Sequence, residues 1–260
     1  MTTPIPPVSR LETVMGTVVT IDVYPDPAAT EAQRARIRGQ IQRACDVLHR
    51  ADEVFSTWRE DSPVSRLRRG EIAAEDAPEE VAGVISACAA AREISAGWFD
   101  PWAMPGGFDP TGYVKGWAAQ RALAVLAPAD GICGAMINAA GDIASAGRLP
   151  TGQPFRIGIA DPARPRRLAE IVELTGAVAT SGSYERGPHL IDPRSGLHVA
   201  RAASASVTGP DLGLADALAT GLAVAGPDGL AFVEAIAGYA ALTIGFDGSR
   251  QSTPGFPFAR

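Results

Sequence analysis

Apolar positions recur along the first quarter of the chain with two different periods. Residues 14–24, VMGTVVTIDVY, are rich in β-branched side chains and predict a strand. The next segment predicts a helix, because apolar residues recur at spacings of three, four and seven, namely Ile37, Ile41, Ala44, Leu48 and Phe55. The chain therefore begins with a strand followed by a long amphipathic helix.

Capping and breaking residues divide the rest of the chain into further elements. Ser62 and Pro63 predict the start of a short helix that ends at Gly70, and residues 78–97 predict a second long helix. Residues 98–112 are loop by their Pro and Gly content, and 113–127 return to a helical pattern. Short strands and turns follow, then a helix, a second helix and a last strand. We therefore predict an α+β protein with a mixed β-sheet.

The helix predicted over residues 211–226, DLGLADALATGLAVAG, is apolar around almost its whole circumference. Such a helix is expected to be buried, yet it carries Asp216 and, one turn later on the same face, Thr220. A buried carboxylate must be paired or bind a metal, and a carboxylate beside a hydroxyl suits a hard cation such as Mg²⁺. The alternative is an Asp216 paired with an arginine, with Thr220 bonded back to its own helix.

Composition narrows the classes of function. The 260 residues suit one domain spanning 1–260, and a net charge of −6 without a basic run argues against nucleic acid. No apolar run reaches the roughly 20 residues of a membrane span, and the first residues lack a secretory signal, so we expect a cytoplasmic protein. Three widely spaced cysteines predict small core residues rather than a metal or redox site, namely Cys45, Cys88 and Cys133.

Residues 179–196, ATSGSYERGPHLIDPRSG, are dense in hydrogen-bonding groups. The hydroxyls of Thr180 and Ser181, in a turn with Gly182, could bind phosphate oxygens. His189 is either a functional histidine or one satisfied by neighbouring backbone. Asp192 before a proline is equally consistent with an ordinary Asx turn.

Taken together, nine segments of the chain occur in an order that resembles the ApbE-like FAD:protein FMN transferases. The resemblance runs from about Leu11 to the last predicted strand, and HLIDPRSG and ADALATG are its most specific parts. The segments are MGTVVTIDV, FSTWREDSPVSRLRRGE, FDPTGYVKGWAA, INAAGDI, FRIGIADP, ATSGSYER, HLIDPRSG, SVT and ADALATG.

The resemblance implies a T-fold-related architecture and a chemistry. Such enzymes split FAD, release AMP and attach FMN to a Ser or Thr of an acceptor protein. It implies that Mg²⁺ is held by Asp216, Thr220 and the main-chain carbonyl of Gly112, and that His189 takes the proton of the acceptor hydroxyl. The residues that it places against FAD, with Trp58 stacked on the flavin, are Met15, Trp58, Trp98, Phe99, Asp100, Asp109, Lys115 and Ile191.

The chain also departs from the family pattern. The two loop segments meet directly in FDPWAMPGGFDP, where many members carry a long insertion, and INAAGD has alanines where glycines are usual. The link between SVT and ADALATG is two residues shorter than usual. Two other functions stay open at this point: an FAD pyrophosphatase that uses water as acceptor, and a non-catalytic FAD-binding protein.

Overall fold

The computed structural model describes residues 6–126, 130–182 and 190–259. The described helices are α1 (Glu31–Phe55), α2 (Pro63–Arg68), α3 (Glu79–Ile94), α4 (Thr111–Leu126), α5 (Leu212–Ala225) and α6 (Leu230–Glu234). The described strands are β1 (Val8–Val14), β2 (Thr17–Pro25), β3 (Ile132–Ala139), β4 (Asp142–Gly147), β5 (Phe155–Asp161), β6 (Arg164–Leu174), β7 (Ala177–Ser181), β8 (Ser204–Gly209), β9 (Ala240–Ile244) and β10 (Arg250–Ser252). This arrangement confirms the α+β class.

Eight of these strands form one sheet, in the order β1-β2-β3-β4-β7-β8-β9-β10, while β5 and β6 form a separate hairpin. The pairings between described strands are all antiparallel, which refines the mixed sheet expected from the sequence. Antiparallel neighbours can be joined by tight turns, so several turns gather at the same end of the sheet.

The strand predicted over residues 14–24 is in fact the second half of a hairpin. β1 pairs with β2 through a two-residue turn at Met15 and Gly16, both with positive φ, as hairpin turns of this length require. β1 is an edge strand with most of its residues partly or fully exposed, including Arg10 and Glu12. Charged edge strands lack the apolar alternation by which a strand is recognised.

The helices cover one face of the sheet around α5. Twelve of the fourteen residues of α5 are buried, so the prediction of a helix buried on all sides is confirmed. α4 lies so close to α5 that a Cβ on Gly116 would sit 2.4 Å from the carbonyl oxygen of Leu212. Only glycine allows this approach, and it brings the second turn of α4 against the first turn of α5.

Two of the three cysteines occupy core positions as predicted. Cys45 and Cys88 are fully buried, and Cys133 is partly exposed. Burial raises the pKa of Cys45 to about 11 and that of Cys88 to about 12, so neither thiol ionises near neutral pH. Among the described residues, no helix combines the length and the apolar character needed to cross a membrane.

Candidate functional site

The candidate site begins at Asp216, in the second turn of α5. Only 5% of this residue is exposed, and its Oδ2 accepts the backbone N–H of Gly116 at 3.2 Å. An ammonium group forms an ion pair with Asp216, since the Nζ of Lys115 lies 3.9 Å from the same oxygen.

Lys115 reaches a second carboxylate, which the sequence analysis did not single out. Its Nζ makes an ion pair with Oδ2 of Asp142, the first residue of β4. The Asp142 side chain is fully buried, and its Oδ1 accepts the backbone N–H of Thr180 at 3.0 Å. One ammonium thus lies between two buried carboxylates, and this trio carries a net charge of −1.

The residues around Asp216 offer oxygen donors that fit a divalent cation. Thr220 lies one turn further along α5, and a Cβ built on Gly112 would sit 3.4 Å from the Thr220 hydroxyl oxygen. The approach of this backbone turn to α5, expected from the resemblance, is therefore present. A carboxylate, a hydroxyl and a main-chain carbonyl are hard oxygen donors, which is the ligand chemistry of Mg²⁺. The described residues contain no cluster of three His, Cys, Asp or Glu side chains able to hold a metal, so a softer N/S site has no support there.

The phosphate-binding candidates lie beside this group, at the end of β7. The Thr180 hydroxyl is hydrogen-bonded to the hydroxyl of Ser206, at 2.8 Å, on the neighbouring strand. Ser181 is the last residue of β7 and is partly exposed. Of the two, only Ser181 has no side-chain hydrogen bond recorded among the described residues.

The loop before α4 places three of the expected flavin contacts in different environments. Phe99 is buried in the core, where it packs against Gly112 and Gly221. The carboxylate of Asp100 accepts the Nε of Arg92 at 2.6 Å. The carboxylate of Asp109 accepts the backbone N–H of residue 111, the first residue of α4, at 3.0 Å. All three therefore make contacts within the protein that help to order this loop.

Arg68, at the end of α2, binds the loop that precedes α4. Its guanidinium donates to the carbonyl oxygens of Pro105, at 2.7 Å, and Gly106, at 3.2 Å, and lies 3.4 Å from the Asp109 carboxylate. A guanidinium can hold three oxygens at once because its donors spread in a fixed plane. Nothing in the one-dimensional pattern of RLRRG distinguishes this arginine from its two exposed neighbours.

Two further arginines were missed, and both lie against Trp98. The guanidinium carbon of Arg194 stands 3.7 Å from the centre of the Trp98 ring, and that of Arg201 stands 4.9 Å from it. The guanidinium of Arg201 also donates a hydrogen bond to the carboxylate of the buried Asp192. The same carboxylate accepts the backbone N–H of Arg194, as in an Asx turn. The turn interpretation of Asp-Pro is thus realised, and it also orders these arginines.

The remaining expected contacts are spread around the site. Trp58 follows α1 and is 93% exposed, so its ring does not pack into the core. Met15 occupies the first hairpin turn, at the same end of the sheet as Asp142. Ile191 forms an isolated bridge with His198. His189 lies outside the described residues.

Burial affects one titratable group beside the site. Tyr113 follows Gly112 in α4, and its burial, reinforced by the charge of Asp211, raises its pKa well above the usual value. The phenol stays protonated at neutral pH and is unsuited to act as a base.

Comparison with known proteins assigns this architecture to a family. A sequence model of the ApbE family matches residues 15–106 and 102–243. The chain belongs to the ApbE family. Its fold agrees with the ApbE protein of Thermotoga maritima, at a TM-score of 0.81 and 24% identity over 95% of this chain and 97% of that one. It also agrees with apo flavinyl transferase ApbE of Pseudomonas stutzeri, at a TM-score of 0.76 and 25% identity over 95% of each chain.

Curated relatives match over shorter stretches. The FAD:protein FMN transferase of Rhodobacter capsulatus is 36% identical over 152 residues, which are 55% of this chain and 29% of that protein. The protein of the same name from Escherichia coli K12 is 33% identical over 125 residues, or 44% of this chain and 35% of the relative. The match thus spans about a third of the length of these relatives.

Proposed function

We propose that this ApbE-family protein transfers FMN from FAD to a Ser or Thr hydroxyl of an acceptor protein, in a Mg²⁺-dependent reaction that releases AMP. The observation that carries the proposal is the group formed by Asp216, Thr220 and the backbone of Gly112, with Lys115 beside it. It joins oxygen donors for a divalent cation to an ammonium group, and a diphosphate needs both kinds of partner. Two relatives named FAD:protein FMN transferase support this substrate.

The chemistry requires one bond to form and one to break. The acceptor oxygen bonds to the phosphorus of the FMN half, the bridging P–O bond of the diphosphate breaks, and AMP leaves with the bridging oxygen. A bound Mg²⁺ would neutralise charge on the diphosphate and orient it. Asp216, Thr220 and Gly112 are the residues proposed to hold the ion.

The chain's own side chains supply the other parts. In this proposal the ammonium of Lys115 binds a phosphate oxygen of FAD next to the carboxylates. The proton of the acceptor hydroxyl goes to the imidazole of His189 in this proposal, because a neutral imidazole is a suitable base near pH 7. The exposed ring of Trp58 offers a face on which the flavin can stack.

The test is to incubate the protein with FAD, Mg²⁺ and a lysate, and to look for polypeptides that become covalently fluorescent and gain the mass of an FMN group. Asp216→Asn removes a charged ligand with little change in size, and we expect labelling to fall at least about 100-fold. Asp228→Asn, at an exposed position just after α5, is the matched control and should label normally.

Other outcomes would replace the proposal. Steady formation of FMN and AMP without an acceptor would make the protein a pyrophosphatase. Neither label nor FMN, with FAD still bound, would leave a flavin-binding protein. Full labelling by Asp216→Asn would refute the role given to that carboxylate.

A further inference from the structure

Two carboxylates compete for one ammonium beside the proposed metal site. Lys115 lies on α4, Asp142 on β4 and Asp216 on α5, so three separate elements bring the charges together. The Nζ of Lys115 makes its close ion pair with Asp142 and stays 3.9 Å from Oδ2 of Asp216. An ammonium closer to Asp216 would weaken the attraction of this carboxylate for a second cation.

Two features of Asp142 favour its ion pair with the Lys115 ammonium. Its side chain is fully buried, whereas that of Asp216 is 7% exposed, so an unpaired charge would cost more at Asp142. Its other oxygen accepts the backbone N–H of Thr180, which fixes the carboxylate in place. Asp142 therefore offers Lys115 an oriented and already desolvated partner.

We propose that Asp142 is a positioning residue that holds the Lys115 ammonium away from Asp216, so that Asp216 can bind a divalent cation. The inference rests on the proposed metal site and adds to it a residue that touches neither the metal nor the reacting atoms. Without the negative charge of Asp142, Asp216 is the carboxylate that remains in an ion pair with Lys115 among the described residues. The ammonium would then move onto the metal ligand and compete with the ion.

The test measures metal affinity directly, without catalysis. Mn²⁺ replaces Mg²⁺ as the probe because both accept oxygen ligands and free Mn²⁺ can be quantified by electron paramagnetic resonance. The titration uses the purified full chain without FAD. Asp142→Asn keeps an oxygen for the Thr180 N–H and loses the charge, and we expect Mn²⁺ binding about 10- to 100-fold weaker than in the wild type.

A second substitution separates this explanation from general damage. Lys115→Met removes the competing ammonium and should leave Mn²⁺ binding at least as tight as in the wild type. In the double variant Asp142→Asn/Lys115→Met, affinity should return to within about threefold of Lys115→Met alone, because the Lys115 ammonium can no longer move onto Asp216. A merely structural role for Asp142 predicts the opposite, since a misfolded site would not recover when Lys115 is removed.

One control variant completes the design. Asp22→Asn changes a partly exposed aspartate in the middle of β2 and should leave Mn²⁺ affinity unaltered. Wild-type affinity in Asp142→Asn, or no recovery in the double variant, would overturn the inference while leaving the metal site standing. A wild-type protein that binds no Mn²⁺ at all would overturn the proposed metal site and this inference together.

Discussion

At the scale of single residues, Arg68 is the side chain whose loss should disturb the site most from a distance. It binds two loop carbonyls and Asp109, and the loop leads directly into Gly112. Arg68→Ala should lower the free energy of unfolding by about 1–3 kcal/mol, because three acceptors lose a charged partner. It should also weaken FAD binding, which a fluorescence titration measures.

Arg66→Ala is the matched control for this prediction. Arg66 is about half exposed, and within the described part of the chain its ion pair is with Glu71, at 3.8 Å. Such surface pairs contribute less than about 1 kcal/mol, so stability and FAD affinity should both stay near wild type. Arg68→Lys should recover little, since an ammonium cannot reach three oxygens in one plane. Equal effects of the Arg66 and Arg68 substitutions would contradict the prediction.

The contrast between Asp216 and Asp142 shows what a sequence can reveal about single residues. Asp216 stands out because it interrupts an apolar helix, and its burial follows from its own neighbours in the chain. Asp142 follows a turn at Ala140 and Gly141, where an aspartate is ordinary. Its burial depends on β7 and α4, which lie distant in sequence, so no local pattern could identify it.

At the scale of elements, the crossing of α4 and α5 depends on Gly116. A Cβ there would lie 2.4 Å from the carbonyl oxygen of Leu212 and 3.1 Å from Cβ of Asp216. Gly116→Ala must therefore push the two helices apart, and we expect a loss of about 1–3 kcal/mol in unfolding free energy together with weaker Mn²⁺ binding.

Gly83→Ala supplies the control because it is the same substitution in another helix. Gly83 is exposed on α3, and nothing lies within 4 Å of the position that its Cβ would occupy. Alanine is the better helix former by about 1 kcal/mol, so this variant should be as stable as the wild type or more so. Urea unfolding compares the two, and a Gly116→Ala protein of wild-type stability would argue against the tight crossing.

The attachment of β1 to α1 should depend on pH. Glu12 on β1 lies 2.9 Å from the imidazole of His49 on α1 and bonds to Arg10, and these partners lower its pKa from 4.5 to about 2. A carboxyl whose pKa is lower in the folded state stabilises the fold above its unfolded pKa. That contribution is lost as the pH falls from about 4.5 toward 2.

Glu12→Gln tests this directly. Its deficit in unfolding free energy relative to the wild type should be largest near pH 6 and should shrink as the pH is lowered through 4 to 2. Urea unfolding at each pH measures the difference. A deficit that stays constant over this range would show that Glu12 contributes by packing rather than by charge.

The predicted elements differ in how much of their signal is local. α1, α2 and α5 were recognised because caps and periodicity lie within each helix, and Ser62 does cap α2 through the N–H of Ser65. β1 was missed because its stabilising partners are β2 and α1 rather than its own pattern. An edge strand is therefore harder to predict from its own sequence, because its stability depends on contacts with other elements.

At the scale of the whole molecule, the order of short segments was enough to indicate the family, and the family model and fold comparisons bear it out. The site itself could be predicted only in part. The approach of Gly112 to Thr220 followed from the resemblance, whereas the Lys115–Asp142 pair and the Arg68 contacts depend on how distant segments meet. A local sequence pattern does not predict contacts between segments that are distant in the chain.

Metal binding should then stabilise the whole molecule, because the proposed ligands come from α4 and α5, and these meet only in the folded state. An ion that binds the native state alone adds about 1.4 kcal/mol when its concentration is ten times the dissociation constant. For a chain of this length that is a rise of a few degrees in Tm. Thermal unfolding with increasing Mg²⁺ should show this shift in the wild type and in Asp228→Asn, and no shift in Asp216→Asn. A similar shift in all three proteins would indicate a general salt effect, since only a site built on Asp216 can lose its response with that one carboxylate.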